Sequence, residues 1–151
     1  ILSGRQPIVP RGGIPIVDVR DLAAALAAVF RPCLEPRRYL LGGHYVTFPE
    51  LVGLFRELSG RRLPGLPLPE TLILPVARAA DLVQSLLPFR IPVPTGGIWL
   101  TKQRARCDDS RAEAELGFAP RDLRETLADT VSSLLETGRL TPKQVGELAS
   151  A

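Results

Sequence analysis

Several residue types that support common chemistries are scarce in this sequence. Its 151 residues include one histidine and two cysteines, Cys33 and Cys107. Two cysteines form neither a disulfide framework nor a metal-ligand set, and they are typical of a reducing compartment, so we expect a cytoplasmic protein. Methionine is absent and the first residue is Ile1. This predicts that the chain is part of a longer protein.

Long apolar runs and aromatic residues are also scarce. No stretch of about 18 apolar residues is free of helix-breaking residues, so we predict no transmembrane helix. Aromatic residues make up 5% of the chain, and the net charge is only +3. The one dense basic patch contains Lys102, Arg104, Arg106 and Arg111. Because stacking aromatics do not accompany it, we interpret the patch as a solvated face or an internal salt-bridge set, and we expect neither a nucleic-acid nor a membrane partner.

The most informative stretch is a strand followed by a helix, introduced by Gly12 and Gly13. β-Branched residues over 14–17 predict a strand, and Asp18 is placed to cap a helix that begins near Val19. Residues 22–30 are apolar on every side, which predicts a buried helix. The charges at its start therefore need partners, and we assign structural roles to Asp18, Arg20 and Asp21.

The rest of the chain alternates between extended and helical patterns. Thr47 and Glu50 have the spacing of a capping box, and the prolines of 63–69 exclude a helix there. A strand is predicted over 38–43, and extended segments over 8–9 and 63–69. Helices are predicted over 47–59, 71–87, 111–116, 122–136 and from Thr141 onwards. The class is α/β, with too few strands for a complete sheet, in a single portion over 1–151.

Few residues form a recognisable catalytic or metal-binding pattern. His44 is a candidate general base, but we favour a hydrogen-bonded loop histidine. Asp108 and Asp109 are better explained as helix caps than as cation ligands, and Asp109 is assigned a structural role. The glycine pairs lack the spacing of a nucleotide loop, and histidines, cysteines and carboxylates do not cluster at metal-ligand spacing.

A proline-rich loop is the candidate substrate pocket. Phe89, Arg90 and Trp99 lie in or beside a loop stiffened by prolines. Such loops often form the wall of an apolar pocket with one polar anchor. The alternative, which is slightly favoured, is that both aromatics are core residues and Arg90 is a surface charge.

Four stretches together resemble a known family. Val17–Ala23 is similar to the V-x-V-x-D-x-A junction of extended short-chain dehydrogenases/reductases, the NAD(P)-dependent epimerase/dehydratase family. Arg38–Gly43 and Thr47–Leu51 resemble that family's Y-x-x-x-G and T-x-x-E-L segments. Asp109–Pro120 is similar to its L-G-[WF]-x-P region, and the helix of Leu123–Leu135 follows in the same order. The Leu-Gly-Phe-Ala-Pro-Arg sequence is closest to the dihydroflavonol-4-reductase-like branch.

The chain also departs from this family. The glycine-rich cofactor loop is absent, and neither tyrosine starts a Tyr-x-x-x-Lys pair, because Gly43 follows Tyr39 and Pro49 follows Tyr45 at that spacing. In the family both features come earlier, so the resemblance covers the C-terminal, substrate-side part of a Rossmann-type enzyme, mostly helical with a few short parallel strands. Its implied partners are a small-molecule substrate and an N-terminal portion that binds NAD or NADP.

The resemblance implies hydride transfer between a nicotinamide cofactor and an alcohol or carbonyl substrate in the longer protein. We expect the chain alone to be inactive, to contribute no catalytic residue and to bind no cofactor. Three alternatives stay open: a non-catalytic family member that acts as a binding or redox-sensing regulator, a sugar-nucleotide epimerase/dehydratase, and an autonomous helical interaction module.

Overall fold

The computed structural model describes residues 1–4, 8–30, 37–69, 71–73, 75 and 106–150. The fold is mixed α/β and its residues divide into two compact units. The first unit contains Ile1–Ile14 and Thr47–Ala105, and the second contains Pro15–Val46 and Arg106–Ala151. Each unit is therefore assembled from two separate stretches of sequence.

Four strands are short. They are β1 (Ile8–Pro10), β2 (Gly13–Ile16), β3 (His44–Thr47) and β4 (Leu66–Leu68). β1 and β4 pair in parallel with Ile8 opposite Leu66, and β2 pairs with β3. The β1–β4 pair confirms the predicted extended segment over 8–9 and the 66–68 part of the segment over 63–69.

The helices account for most of the regular structure. They are α1 (Val19–Val29), α2 (Phe48–Ser59), α3 (Ser110–Leu116), α4 (Leu123–Glu136) and α5 (Pro142–Val145), and a 3-10 turn follows at Gly146–Ser150. Residues 71–73 and 75 are also helical.

In the first unit, α2 packs on the β1–β4 pair. The predicted capping box is present: the Thr47 hydroxyl accepts from the Glu50 N–H, and the Glu50 carboxylate accepts from the Thr47 N–H at 2.9 Å. Val9, Val52 and Leu63 are buried. These apolar contacts fix the helix on the two strands.

The second unit is organised around α1 and α3. Ala25 and Ala28 of α1 pack against Leu116 and Phe118, with Ala112 in the same cluster. Small alanines allow the two helices to approach closely. At the far end of α4, Val131 and Val145 are almost completely buried.

One predicted strand lies elsewhere. The sequence predicts a strand over 38–43, whereas the structure has no regular element at 37–43 and begins β3 at His44. The physical reason lies in the backbone: Gly43 has a φ of +62°, and the N–H groups of Gly42 and Gly43 both donate to Asp109. A side chain distant in sequence therefore replaces a strand partner.

The sequence predicts that α1, which has no polar face, belongs inside a larger body, and the described residues bury one side of it. Ala25 and Ala28 are buried, but Leu26 is 53% exposed and Phe30, just after the helix, is 86% exposed. The helix is apolar on two sides, and the residues that the structure describes cover one of them. An apolar helix surface reveals that neighbours are needed, but not how many of them this chain supplies.

Other predictions lie outside the described residues. These include the helix beyond position 75, the proline-rich loop with Phe89, Arg90 and Trp99, and Cys33. Across the ranges that the structure does describe, no helix is long and apolar enough to cross a membrane.

Candidate functional site

Asp18 lies at the centre of a charged cluster at the start of α1. The residue is buried and caps the helix, because its Oδ1 accepts the Arg20 backbone N–H at 2.8 Å. The Arg20 guanidinium adds two hydrogen bonds, one to each carboxylate oxygen, at 3.0 and 2.8 Å. Thr126 of α4 donates its hydroxyl to Oδ2 at 2.9 Å. Both oxygens of this carboxylate are therefore occupied.

Asp21, one turn further along α1, is held by Arg121. The Arg121 guanidinium donates to Oδ1 from Nε at 3.0 Å and from Nη2 at 2.8 Å. The backbone N–H of the same arginine donates to Oδ2 at 2.9 Å. Arg121, which lies 100 positions later in the sequence, thus donates hydrogen bonds to both oxygens of the Asp21 carboxylate.

The cluster extends outwards through acidic residues of α4. Arg20 pairs with Asp129 at 2.6 Å and lies 3.7 Å from Glu125, while Arg121 donates to Glu125 at 3.1 Å. The positive charges of Arg20 and Arg121 are each shared between α1 and α4. We call Asp18, Arg20, Asp21 and Arg121 the junction cluster.

The junction cluster keeps its two carboxylates ionised. The side-chain hydrogen bonds from Arg20 hold the pKa of Asp18 far below its ordinary value, and those from Arg121 lower the pKa of Asp21. A general acid or base needs a pKa near the working pH and a free position for the proton. Neither carboxylate offers both, so the cluster stabilises structure and does not transfer protons.

These lowered pKa values predict a specific acid sensitivity. A carboxylate whose folded pKa lies below its unfolded pKa contributes stability that is present above about pH 4 and is lost as the pH falls through the folded pKa. We expect the thermal unfolding midpoint to fall between about pH 4 and pH 2, and to fall less steeply in Asp21→Asn. Circular dichroism melts across this range measure both slopes.

The control is Glu113→Gln, which removes an exposed carboxylate from α3. This variant should follow the unaltered protein at every pH. If the midpoints of Asp21→Asn and of the unaltered protein fell equally steeply with pH, Asp21 would not be a source of the acid sensitivity.

A second polar site links the loop before β3 to α3. Asp109 Oδ1 accepts from the Gly42 N–H and Oδ2 from the Gly43 N–H, each at 2.8 Å. The prediction that both Asp108 and Asp109 act as caps is therefore correct only for Asp108, which accepts from the Ser110 N–H at 3.1 Å. Asp109 occupies the cap position without a side-chain cap bond.

His44 follows the glycine pair at the start of β3. Its Nε2 lies 2.8 Å from the Arg121 carbonyl oxygen. A carbonyl oxygen can only accept, so Nε2 carries the proton and donates. The hydrogen-bonded histidine favoured from sequence matches this geometry, and the bond ties β3 to the same residue that holds Asp21.

The two tyrosines have different environments. Tyr39 donates its hydroxyl to Glu115 at 2.6 Å, and this bond raises the pKa of Tyr39. Arg106 lies over the Tyr45 ring at 5.0 Å, and the buried Tyr45 hydroxyl has no hydrogen-bond partner in the described part of the chain. Neither hydroxyl is arranged as a proton donor to a substrate.

A cavity of about 270 Å³ adjoins the junction cluster. Asp21 provides its charged wall, and the remaining lining residues are small or apolar: Ala24, Ala25, Ala28, Leu116, Gly117, Phe118 and Ala119. Because Arg121 already occupies both oxygens of Asp21, the cavity presents no unpaired charge to a ligand. It is a packing gap between α1 and the end of α3.

The described residues bring some of the predicted site residues together. Asp18, Arg20 and Asp21 form one cluster. Asp109 lies apart from it and accepts hydrogen bonds from the backbone N–H groups of Gly42 and Gly43. Within these same ranges, no group of three histidine, cysteine or carboxylate side chains could hold a metal ion. Sequence reasoning missed Arg121, although it did predict that the charges at the start of an apolar helix need partners.

Comparisons with known proteins identify a similar sequence and a similar structure. Over 139 residues, 91% of the chain, it is 30% identical to "Sterol demethylase protein B" of Methylococcus capsulatus (strain ATCC 33009 / NCIMB 11132 / Bath), of which it covers 42%. The structure matches the crystal structure of gox2253 with a TM-score of 0.71 and 24% identity over 93% of the chain, again covering 42% of that protein. No protein-family model matches. The chain thus spans about two fifths of each protein.

Proposed function

We propose that this chain is the substrate-side, C-terminal portion of an NAD(P)-dependent oxidoreductase of the extended short-chain dehydrogenase/reductase type. The order of the four family-like stretches supports this assignment. The local structure agrees with it at two of them, because the Val17–Ala23 stretch is a capped strand-to-helix junction and Thr47–Leu51 starts a helix with a capping box.

The alignment with the protein named a sterol demethylase carries the proposal furthest. It extends over 91% of this chain, so the similarity is not confined to one motif. It leaves more than half of that relative unmatched, which is enough for a cofactor-binding portion. The similar fold of gox2253 has the same proportion of unmatched length.

The name of the relative also refines the proposed substrate. The sequence resemblance favours a dihydroflavonol-4-reductase-like reductase, and the relative is named for sterols. Both substrate classes are fused-ring compounds with an alcohol or carbonyl group. We infer a polycyclic alcohol or ketone of the sterol class, and Phe89, Arg90 and Trp99 stay the proposed residues that contact it.

The two tyrosines of this chain do not form the family's Tyr-x-x-x-Lys catalytic pair. A reductase of this type needs a tyrosine hydroxyl available to the substrate, whereas the Tyr39 hydroxyl donates to Glu115. The residue four positions after each tyrosine is Gly43 or Pro49, not lysine. We therefore assign cofactor binding and hydride transfer to the preceding portion of the longer polypeptide.

A cofactor titration tests the proposal. The complete gene product should bind NADH or NADPH, with a change in nucleotide fluorescence, and should reduce NAD⁺ or NADP⁺ in the presence of a 3-hydroxysterol. The 151-residue chain should do neither, because it provides no nucleotide loop. Intact mass identifies which protein is being titrated, and nucleotide fluorescence measures binding and reduction.

The two proteins serve as each other's control. Binding of dinucleotide by the 151-residue chain would contradict the assignment of cofactor binding to the preceding portion of the polypeptide. A complete gene product that binds neither cofactor would contradict the oxidoreductase assignment and favour a regulatory binding protein.

A further inference from the structure

Helix α1 has two apolar sides, and the described residues cover only one of them. Ala25 and Ala28 face the core of the second unit. On the opposite side, Val19, Ala23, Leu26 and Phe30 follow one another at spacings of four, three and four residues, which places them in one row. We call this row the outer stripe. Val19 is 74% exposed, Leu26 53% and Phe30 86%.

The composition of the outer stripe is that of an interface core. Isolated exposed apolar residues are ordinary, but a continuous row opposite a buried face marks a contact surface. The charged residues of α1 are confined to its first turn, where Arg20 pairs with Asp18 and Asp129. An apolar centre with a polar edge is the usual anatomy of a protein contact.

The size of the outer stripe argues against a separate partner. An 11-residue helix is about 16 Å long, so its face offers on the order of 200 Å². A stable contact between two separate chains requires about 800 Å² from each partner. A second copy of this chain, held by this face alone, falls well short. A covalently connected neighbour does not lose the same translational freedom and can use a smaller contact.

The charges of α1 argue against a lipid surface. Helices that lie on membranes carry several lysines and arginines on the polar face. The single basic residue of α1 is Arg20, and it lies within ion-pair distance of three carboxylates. Few cations are therefore left to attract anionic headgroups.

We propose that the outer stripe is the docking surface for the portion of the longer polypeptide that this chain lacks, which the proposed function makes the cofactor-binding portion. Both similar proteins have that length available, since the match covers only 42% of each. An apolar element of that portion packs along Val19, Leu26 and Phe30. This inference rests on the proposed function for the identity of its occupant.

The test compares three variants in two proteins. Leu26→Lys and Phe30→Lys change the outer stripe, and Leu40→Lys changes an equally exposed leucine outside it. In the 151-residue chain, all three should leave the unfolding midpoint within about 1 °C, because the side chains are already in water. In the complete gene product, only the two stripe variants should lower the midpoint, by about 5 °C or more, because a lysine then enters an apolar contact.

Three results would overturn the inference. The first is an equal response of the complete protein to Leu40→Lys and the stripe variants, or no response. The second is a dimer of the 151-residue chain that sedimentation detects and Leu26→Lys dissociates, which would make a second copy the occupant. The third is a gene product no longer than this chain.

The midpoint shift does not depend on cofactor, so the inference and the proposed function fail separately. A complete protein that binds neither NADH nor NADPH, yet loses stability only in the stripe variants, would retain the docking surface and remove the oxidoreductase assignment. A complete protein that binds cofactor, but whose unfolding midpoint the stripe variants do not lower selectively, would retain the oxidoreductase assignment and remove the docking surface.

Discussion

Arg121→Met is expected to lower the unfolding midpoint of this chain by about 8 °C at pH 7. Methionine keeps much of the apolar length of arginine but removes the guanidinium, which leaves the Asp21 carboxylate with only the backbone N–H at position 121. An ionised carboxylate that loses its partner in a mostly buried place is strongly destabilising. The bond to Glu125 is lost as well.

A double variant separates this effect from lost packing. Asp21→Asn removes the charge that Arg121 neutralises, so Asp21→Asn/Arg121→Met should be more stable than Arg121→Met alone. Arg139→Met, on an exposed arginine after α4, is the matched control and should leave the midpoint nearly unchanged. If the double variant is the least stable of the series, ionic pairing is not the source of the effect.

Gly43→Ala is expected to destabilise the second unit by about 3 kcal/mol. Gly43 has a φ of +62°, which L-residues adopt at a cost of about 1 kcal/mol. A methyl group there would also overlap the Ile16 carbonyl oxygen and lie 3.1 Å from the Val17 Cα. Backbone atoms cannot move aside as a flexible side chain can. Either the pairing of β2 with β3 or the hydrogen bonds from Gly42 and Gly43 to Asp109 must therefore shift.

Two other glycines separate the cost of the positive φ from the cost of the steric overlap. Gly138 has a φ of +69°, and nothing lies within 4 Å of the place that an added methyl group would occupy, so Gly138→Ala should show the conformational cost alone, about 1 kcal/mol. Gly53 lies inside α2 with similar free space, and Gly53→Ala should be neutral or stabilising. Urea unfolding of the three variants gives the comparison. Equal losses at positions 43 and 138 would show that the close approach contributes nothing.

Local features of the fold were predictable from sequence because the interactions lie within one helical turn. Asp18, Thr47 and Thr141 occupy the cap positions that the spacing indicates. The α4 helix and the extended 63–69 segment follow from periodicity and proline content in the same way. These interactions are visible in a window of a few residues.

Long-range partners were not predictable for the opposite reason. Asp109 binds Gly42 and Gly43 across 67 and 66 positions, and no local pattern distinguishes that role from a cap. The same bonds explain why 38–43 is not a strand. Arg121 likewise meets Asp21 across 100 positions, and the sidedness of α1 depends on which neighbours are present.

The separation between Asp21 and Arg121 has a consequence for synthesis. A ribosome adds about 5–20 residues per second, so roughly 5–20 s pass between the two residues. During that interval the inner side of α1 stays open to water and to other chains, because its alanines await α3. The nascent second unit cannot close until its last third has emerged, and α1 is the segment that a chaperone would hold meanwhile.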